Sequence, residues 1–271
     1  MTILVTGATG LVGERLVPRL VEAGLACRLL LRTGKTCPPG ATAVTGDILD
    51  RSTLSEAVRS VSAILHLAAV FRSPDSDLIW RSNLEGTRNL IAAVQADAPR
   101  ARFIMASTAH VYDRASTAPA RETDPVEPQH AYPASKVAAE GLLRESGLTW
   151  SVLRFPFVYG DGDGHLEMLP KHLVASGFHP ANRMSTLHHR DVAAAMWLAL
   201  AGAFDGRIVN LSDEAPTTVY ELVKLVGQRM EASAEAMRDP WYLHVDASLA
   251  RSLGFRPTVR TVHQAAQEGI L

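Results

Sequence analysis

The feature that most constrains this chain is an apolar run that ends in closely spaced glycines: Ile3-Leu4-Val5-Thr6-Gly7-Ala8-Thr9-Gly10-Leu11-Val12-Gly13. A short β-branched run, a glycine turn and then helical periodicity describe a strand entering a helix, with backbone free to approach a ligand closely. The opening of that helix offers unpaired N–H groups and a positive dipole end, which suit a pyrophosphate. Gly7, Thr9, Gly10, Leu11, Val12 and Gly13 are therefore candidate dinucleotide-binding residues. The plainer alternative for the triplet is a tight structural turn.

The same rhythm continues along the chain. Strands are expected at residues 2–6, 27–31, 43–45, 63–66, 102–107 and 151–155, and helices at 11–23, 52–58, 78–96 and 133–145. Near-continuous apolar strands alternating with helices specify a parallel sheet covered on both faces, a Rossmann-like, doubly wound α/β fold. After residue 155 the rhythm changes. A Gly/Asp-rich loop (Asp161-Gly-Asp-Gly164) reads as a mobile lip, followed by helices at 166–175, 191–201, 219–230, 246–253 and 262–267 and a strand at 207–211. Residues 1–155 are expected to form the dinucleotide-binding core and 156–271 mainly a small substrate-binding lobe with elements returning to the core. No repeat or Pro/Ser-rich linker separates them, so one unit with two lobes is expected.

Composition excludes several classes. With 271 residues, 47% apolar and 20% charged, the chain has the balance of a globular protein. A net charge of −1, from 27 basic and 28 acidic residues, lacks the basic excess of a dedicated nucleic-acid binder. The longest apolar stretches, such as 63–70, fall short of the roughly 20 residues that span a bilayer. No signal peptide is visible, so a cytoplasmic location is expected, and Cys27 and Cys37 are too few for a disulfide framework. His165, His172, His179 and the His188-His189 pair lack a compact i, i+4 arrangement or a carboxylate set, so no metal site is assigned; His189 is expected to pack or hydrogen-bond near the crevice. Asp191 reads as a helix-start residue.

Tyr132-Pro-Ala-Ser-Lys136 places a phenol and an ammonium one helical turn apart, with Pro133 suited to a first helical position. A nearby ammonium favours phenolate and is expected to lower the tyrosine pKa from about 10 toward neutrality, as acid/base work requires. Alone, the pattern is equally that of a surface Tyr and Lys. Upstream, Met105-Ala-Ser-Thr-Ala-His-Val-Tyr112 closes a predicted strand, and at its carboxyl end Ser107 or Thr108 can face a ligand crevice or simply cap backbone groups.

Together these segments resemble the extended and atypical short-chain dehydrogenase/reductases, the NAD-dependent epimerase/dehydratase family. The resemblance runs over nearly the whole chain, adding Gly46-Asp47-Ile-Leu-Asp50, His66-Leu-Ala-Ala69, Asn83 with Gly86-Thr87, Leu153-Arg154, Val158-Tyr159-Gly160, Arg190-Asp191-Val192 and Leu253-Gly254-Phe255-Arg256-Pro257. It implies Tyr132 as catalytic acid/base, Lys136 as the residue that contacts the nicotinamide ribose and tunes Tyr132, and Thr108 as the hydroxyl that polarises the substrate oxygen. It implies Asp47 and Ile48 near adenine, Ala68 and Ala69 along the cofactor channel, and Asn83 in the helix behind the site.

Three departures shape the expectation. The end of the second strand carries Leu31-Arg32-Thr33 rather than an acid for the ribose diol, and Arg32 can pair with a 2′-phosphate, with Lys35 adding charge. NADP is thus the preferred cofactor, with NAD left open. Asp113 follows Tyr112 where the family has glycine. Only 30 residues separate Gly160 from Asp191, a short span that favours a compact carbonyl compound or free sugar over a nucleotide sugar. The expected activity is hydride transfer between a nicotinamide and an alcohol/carbonyl of a small-molecule substrate. The alternatives are a nucleotide-sugar epimerase/dehydratase that recycles NAD internally, and a non-catalytic dinucleotide sensor. No nucleic-acid or membrane partner is expected, and a homodimer is left open.

Overall fold

A computed structural model of the chain describes residues 1–112, 114–175 and 178–271; Asp113 lies outside them. The strands are β1 (Thr2–Thr6), β2 (Ala26–Leu31), β3 (Thr42–Thr45), β4 (Ala63–His66), β5 (Arg102–Thr108), β6 (Trp150–Phe155), β7 (Phe157–Tyr159), β8 (Arg183–Met184), β9 (Thr186–His188), β10 (Arg207–Asn210) and β11 (Thr217–Thr218). Seven of them form a parallel sheet in the order β10-β6-β5-β4-β1-β2-β3. The α-helices are α1 (Leu11–Glu22), α2 (Leu54–Val58), α3 (Ser76–Trp80), α4 (Gly86–Asp97), α5 (Ala131–Arg144), α6 (His165–Ala175), α7 (His189–Leu200), α8 (Val219–Leu225), α9 (Ser248–Ser252) and α10 (Val262–Gln267).

The two-residue period of a strand explains why both sheet faces are covered. Ile3 and Val5 of β1 pack with Leu16, Val17 and Leu20 of α1 and Met196 of α7. Leu4, between them, points the other way and joins Val58 of α2, Leu90 and Val94 of α4, and Leu143 of α5. The chain reverses its winding at β1, whose neighbours are β4 and β2, and a ligand crevice opens outside the carboxyl ends at such a switch point. Beyond β6, the two small sheets β7-β9 and β8-β11 build a separate apolar cluster with α6, α8 and α10. β10 and α7 return to the main sheet. Among the described residues, no helix is long and apolar enough to cross a membrane.

The differences from the expected elements have local causes. The helix expected at 78–96 starts at Ser76, where the Asp75 carboxylate accepts from the Leu78 N–H, and it is interrupted by a π turn over Arg81–Glu85. α5 opens two residues early, leaving Pro133 in its first turn, where a missing N–H is still harmless. α8 stops at Leu225 because Gly227, at a φ of 72°, closes the helix in the left-handed region. α9 starts at Ser248, with Asp246 accepting from the Ser248 N–H. β7, β8, β9 and β11, of two or three residues each, are too short to show a period.

Close packing of the first turn depends on Gly13. A Cβ there would lie 2.2 Å from the Gly7 carbonyl oxygen and 2.6 Å from the Ala8 Cα, both backbone. Gly141 in α5 has nothing within 4 Å of its missing Cβ. Gly13→Ala should therefore destabilise the protein by about 1–3 kcal/mol through overpacking, whereas Gly141→Ala should stabilise it by about 1 kcal/mol through helix propensity. Denaturant titrations of the two variants should move in opposite directions.

Candidate active site

Two adjoining cavities lie along the carboxyl ends of the strands. The first, of about 400 Å³, is bounded by Gly7, Thr9 and Gly10, by Arg32 and Lys35 after β2, by Asp47 and Ile48 after β3, and by Ala68 and Ala69 after β4. Its shape suits a dinucleotide. Gly7 has a φ of 74°, and a Cβ there would strike the Ala68 backbone at 2.5 Å, so only glycine lets β1 and β4 close over the turn. At Gly10, the N-cap of α1, no side chain caps the helix, and a Cβ would meet only the Gly7 oxygen at 3.3 Å. The free N–H groups of a 12-residue helix thus open into the cavity, where phosphate would satisfy them. Asp47 holds the turn after β3 by accepting from the Leu49 N–H at 2.9 Å. Ile48 packs on Gly86, where a Cβ would sit 2.6 Å from its Cδ1. Arg32 is exposed at the rim.

Between the cavities runs a buried line of hydrogen bonds. The Thr87 hydroxyl donates to the Asn83 carbonyl at 2.6 Å, so His66 Nε2 donates to Thr87 Oγ1 at 2.8 Å. His66 Nδ1 then accepts from the Thr6 hydroxyl at 2.7 Å, and Thr6 Oγ1 accepts from the Ala68 N–H at 3.3 Å. Burial holds this imidazole neutral, its pKa lowered to about 3 with help from the Lys136 charge. Asn83, in the π turn, continues the line: its carboxamide clasps the backbone of Val70 and donates to Ser135 Oγ at 3.0 Å, and Ser135 donates to the Tyr132 carbonyl at 2.7 Å. A π turn is a known means of reorienting a functional side chain within a helix.

The second cavity, of about 450 Å³, brings together Leu11, Val12 and Gly13 with Thr108, Tyr132 and Lys136. Every expected site residue thus borders one cavity or the other. The choice between Ser107 and Thr108 is made by their partners. Ser107 Oγ bonds Glu140, which also takes a two-point pair from Arg154, Nη2 to Oε2 at 2.6 Å and Nε to Oε1 at 3.1 Å, all buried. Thr108 Oγ1 accepts from the His110 N–H at 3.2 Å and lines the same cavity as Tyr132. One correction concerns the phenol. Burial pushes the Tyr132 pKa up to about 12, against the lowering effect of Thr108, so the expected depression by Lys136 does not prevail. Lys136 itself is lowered to about 8 by burial, which outweighs the opposing pull of Glu140 one turn along. At neutral pH the pair is a protonated phenol beside a mostly protonated amine.

A second correction concerns the lip. The Asp161 carboxylate pairs with Arg19 at 2.7 Å and Arg190 at 3.4 Å, the Gly162 N–H donates to the Leu271 carbonyl, and Asp163 accepts from His189 at 2.8 Å and from the His165 N–H. The loop is fastened at every residue but the last. His189, expected to pack or hydrogen-bond near the crevice, is buried and bonded to Asp163. Among the described residues, no group of three His, Cys, Asp or Glu side chains is placed to hold a metal ion. Asp191 lies in the first turn of α7, but the cap is His188, which accepts from the Arg190 N–H; Asp191 instead accepts from the Thr258 and Val259 N–H groups. Sequence reasoning missed Glu140, whose four-residue spacing from Lys136 was the available signal, and missed Phe71, whose ring meets Tyr132 edge-on at 4.6 Å.

The profile of the NAD-dependent epimerase/dehydratase family matches residues 3–212. Among curated relatives, a 4-hydroxy-2-methyl-3-oxo-4-farnesyl-3,4-dihydroquinoline-1-oxide ketoreductase of Stigmatella aurantiaca is 29% identical over 93% of this chain and 82% of that protein. A putative UDP-glucose 4-epimerase of Methanocaldococcus jannaschii is 27% identical over 95% of this chain and 93% of that protein. Among solved structures, a short-chain dehydrogenase/reductase superfamily protein from Agrobacterium tumefaciens with bound NAD is similar at a TM-score of 0.81, with 26% identity over 99% of this chain and 95% of that one. The UDP-glucose 4-epimerase of Thermus thermophilus in complex with NAD is similar at 0.79, with 26% identity over 98% of each. The chain has the fold and cofactor cradle of an NAD-dependent oxidoreductase of the short-chain dehydrogenase/reductase kind. It belongs to the NAD-dependent epimerase/dehydratase family.

The neutral His66 makes stability depend on acidity. Its folded pKa of about 3 lies below the ordinary 6.5, so in that window unfolding takes up a proton and stability falls as pH is lowered. The expected loss is about 2 kcal/mol between about pH 7 and pH 5. Denaturant titrations across that range should show the slope in the wild type and a shallower one in His66→Gln; equal slopes would locate the effect elsewhere.

Proposed function

We propose that this protein reduces a carbonyl compound with NADPH, using Thr108, Tyr132 and Lys136 as catalytic residues, with the lobe formed mainly by residues 156–271 binding the substrate. The observation that carries the reading is that Thr108, Tyr132 and Lys136 line one cavity together, and that this cavity adjoins the dinucleotide cradle. Each of the two hydroxyls has one proton, and both can be donated to a carbonyl oxygen set between them. A phenol raised to about 12 keeps its proton at neutral pH, so it is prepared to give that proton to the oxygen as negative charge develops. The nicotinamide, when bound, supplies the hydride. The Lys136 ammonium then stabilises the phenolate left on Tyr132.

The preference for NADP rests on Arg32 and Lys35 at the rim, with Leu31 where an acid would repel a 2′-phosphate. The ketoreductase relative favours net reduction. The epimerase relatives favour a second reading, in which one bound NAD is reduced and reoxidised within a turnover. Nucleotide released from the purified protein separates the two readings, since retained NAD belongs to the second.

Tyr132→Phe keeps the ring and loses the proton, so kcat should fall by at least about 10²-fold with cofactor affinity little changed; near-normal turnover would remove Tyr132 from the chemistry. Arg32→Ala should weaken NADPH binding selectively in a fluorescence titration. Equal or tighter NADH binding by the wild type, with no effect of the substitution, would reverse the cofactor assignment.

A further inference from the structure

Resting on that reading, we infer that the substrate is an apolar ketone carrying a carboxylate, with its hydrocarbon body against the wall made by residues 156–271 and its carboxylate on Arg72. Beyond Tyr132 the second cavity is walled by Phe157, Leu169, Leu173, Phe178, Met184 and Leu243. A sugar ring buried against those six side chains would leave its hydroxyls without partners, at a penalty of about 1–3 kcal/mol for each. Hydrocarbon loses nothing in the same place and gains about 25 cal/mol for each Å² removed from water.

The charged end is specified by Arg72, which borders the same cavity. Its Nη2 donates to His165 Nε2 at 3.1 Å, and His165 can accept because its Nδ1 donates to the Val158 carbonyl at 2.8 Å. His165 is in turn stacked on Phe157, with ring centroids 4.4 Å apart. The guanidinium also lies 4.8 Å from the centroid of Phe71, the ring that meets Tyr132. It is thus aimed by a neutral imidazole and an aromatic face, one ring removed from the catalytic phenol. Arg154, Arg19 and Arg102, which are buried or half-buried, have carboxylates in Glu140, Asp161 and Asp205, whereas Arg72 is exposed at the cavity mouth. For Arg72, no carboxylate of the described residues lies within ion-pair distance. The neighbouring titratable groups, His110, His130 and His165, bring no negative charge. A cation held in position at the mouth of an apolar cavity, with no acid of its own, is matched by an anionic group on the ligand.

The test uses the full chain and NADPH with alkyl and aryl oxo-carboxylic acids of graded length, each beside its methyl ester. The acids should be reduced with kcat/KM about tenfold above their esters, and Arg72→Met should shrink that ratio by about tenfold, the worth of one charge-assisted hydrogen bond. Esters reduced as well as acids would overturn the carboxylate assignment while leaving the reductase intact, and turnover confined to free sugars or UDP-sugars would overturn the apolar assignment. Calorimetry on the wild type saturated with NADP⁺ gives a readout independent of chemistry and of any folding defect in the variant. Tighter binding of acid than of ester supports the inference even if no hydride is transferred, a result that would count against the reductase reading alone; equal binding overturns it.

Discussion

The hydrogen-bonded line through His66 is the interaction on which both cavities depend. It starts under the glycine turn at Thr6, crosses from β1 to β4, enters the π turn at Asn83 and ends at the carbonyl of Tyr132. Each neutral bond is worth only about 1 kcal/mol net, but a buried partner left unpaired costs about 1–3 kcal/mol, so the members stand or fall together. The imidazole must be neutral, because a protonated Nδ1 could not accept from Thr6. The loop after β4, which carries Ala68, Ala69 and Val70 along the first cavity, is held from both sides by this one line. Cofactor position and phenol position are therefore set by the same side chains.

Behind Thr108, Tyr132 and Lys136 lies a second buried assembly. Glu140 binds Ser107 and Arg154, Arg154 reaches the Tyr112 hydroxyl at 2.9 Å, and Tyr112 donates to Asn210 at 2.7 Å. Removing one member of a buried ion pair typically costs about 3–5 kcal/mol, since the other charge is left uncompensated. The assembly ties β5, α5, β6 and β10 together directly behind Thr108, Tyr132 and Lys136. It also keeps a carboxylate one helical turn from Lys136, which opposes the effect of burial on that amine.

The main sheet was legible because each strand carries its own signal. Residues 2–6 and 63–66 are bounded in sequence as they are in space, and the glycine turn announced the switch point before any pairing was known. That Tyr132 and Lys136 share a helix face was legible through spacing, since they are one turn apart on any helix. What the sequence hid was of two kinds. Strands of two or three residues, such as β8 and β11, have no period to detect. Long-range partners have no local trace: nothing near Asp161 names Arg19, 142 residues away, so a loop rich in glycine read as a mobile lip although it is bolted down. The direction of the Tyr132 shift was hidden for a related reason, because a neighbouring charge can be read from spacing whereas desolvation is known only after the chain has folded around the group.

The position of β10 carries a consequence for how this chain must be made. β6 is complete at residue 155, yet its outer edge is paired only when residues 207–210 arrive, with Gly206 and Leu211 donating to the carbonyls of Trp150 and Arg154 at either end. A nascent chain emerging from the ribosome therefore passes through a stage in which six strands are available and one buried-type strand lies open along its whole length. Such an edge is a template for pairing with another chain. A fragment ending at residue 155 would carry that open edge permanently.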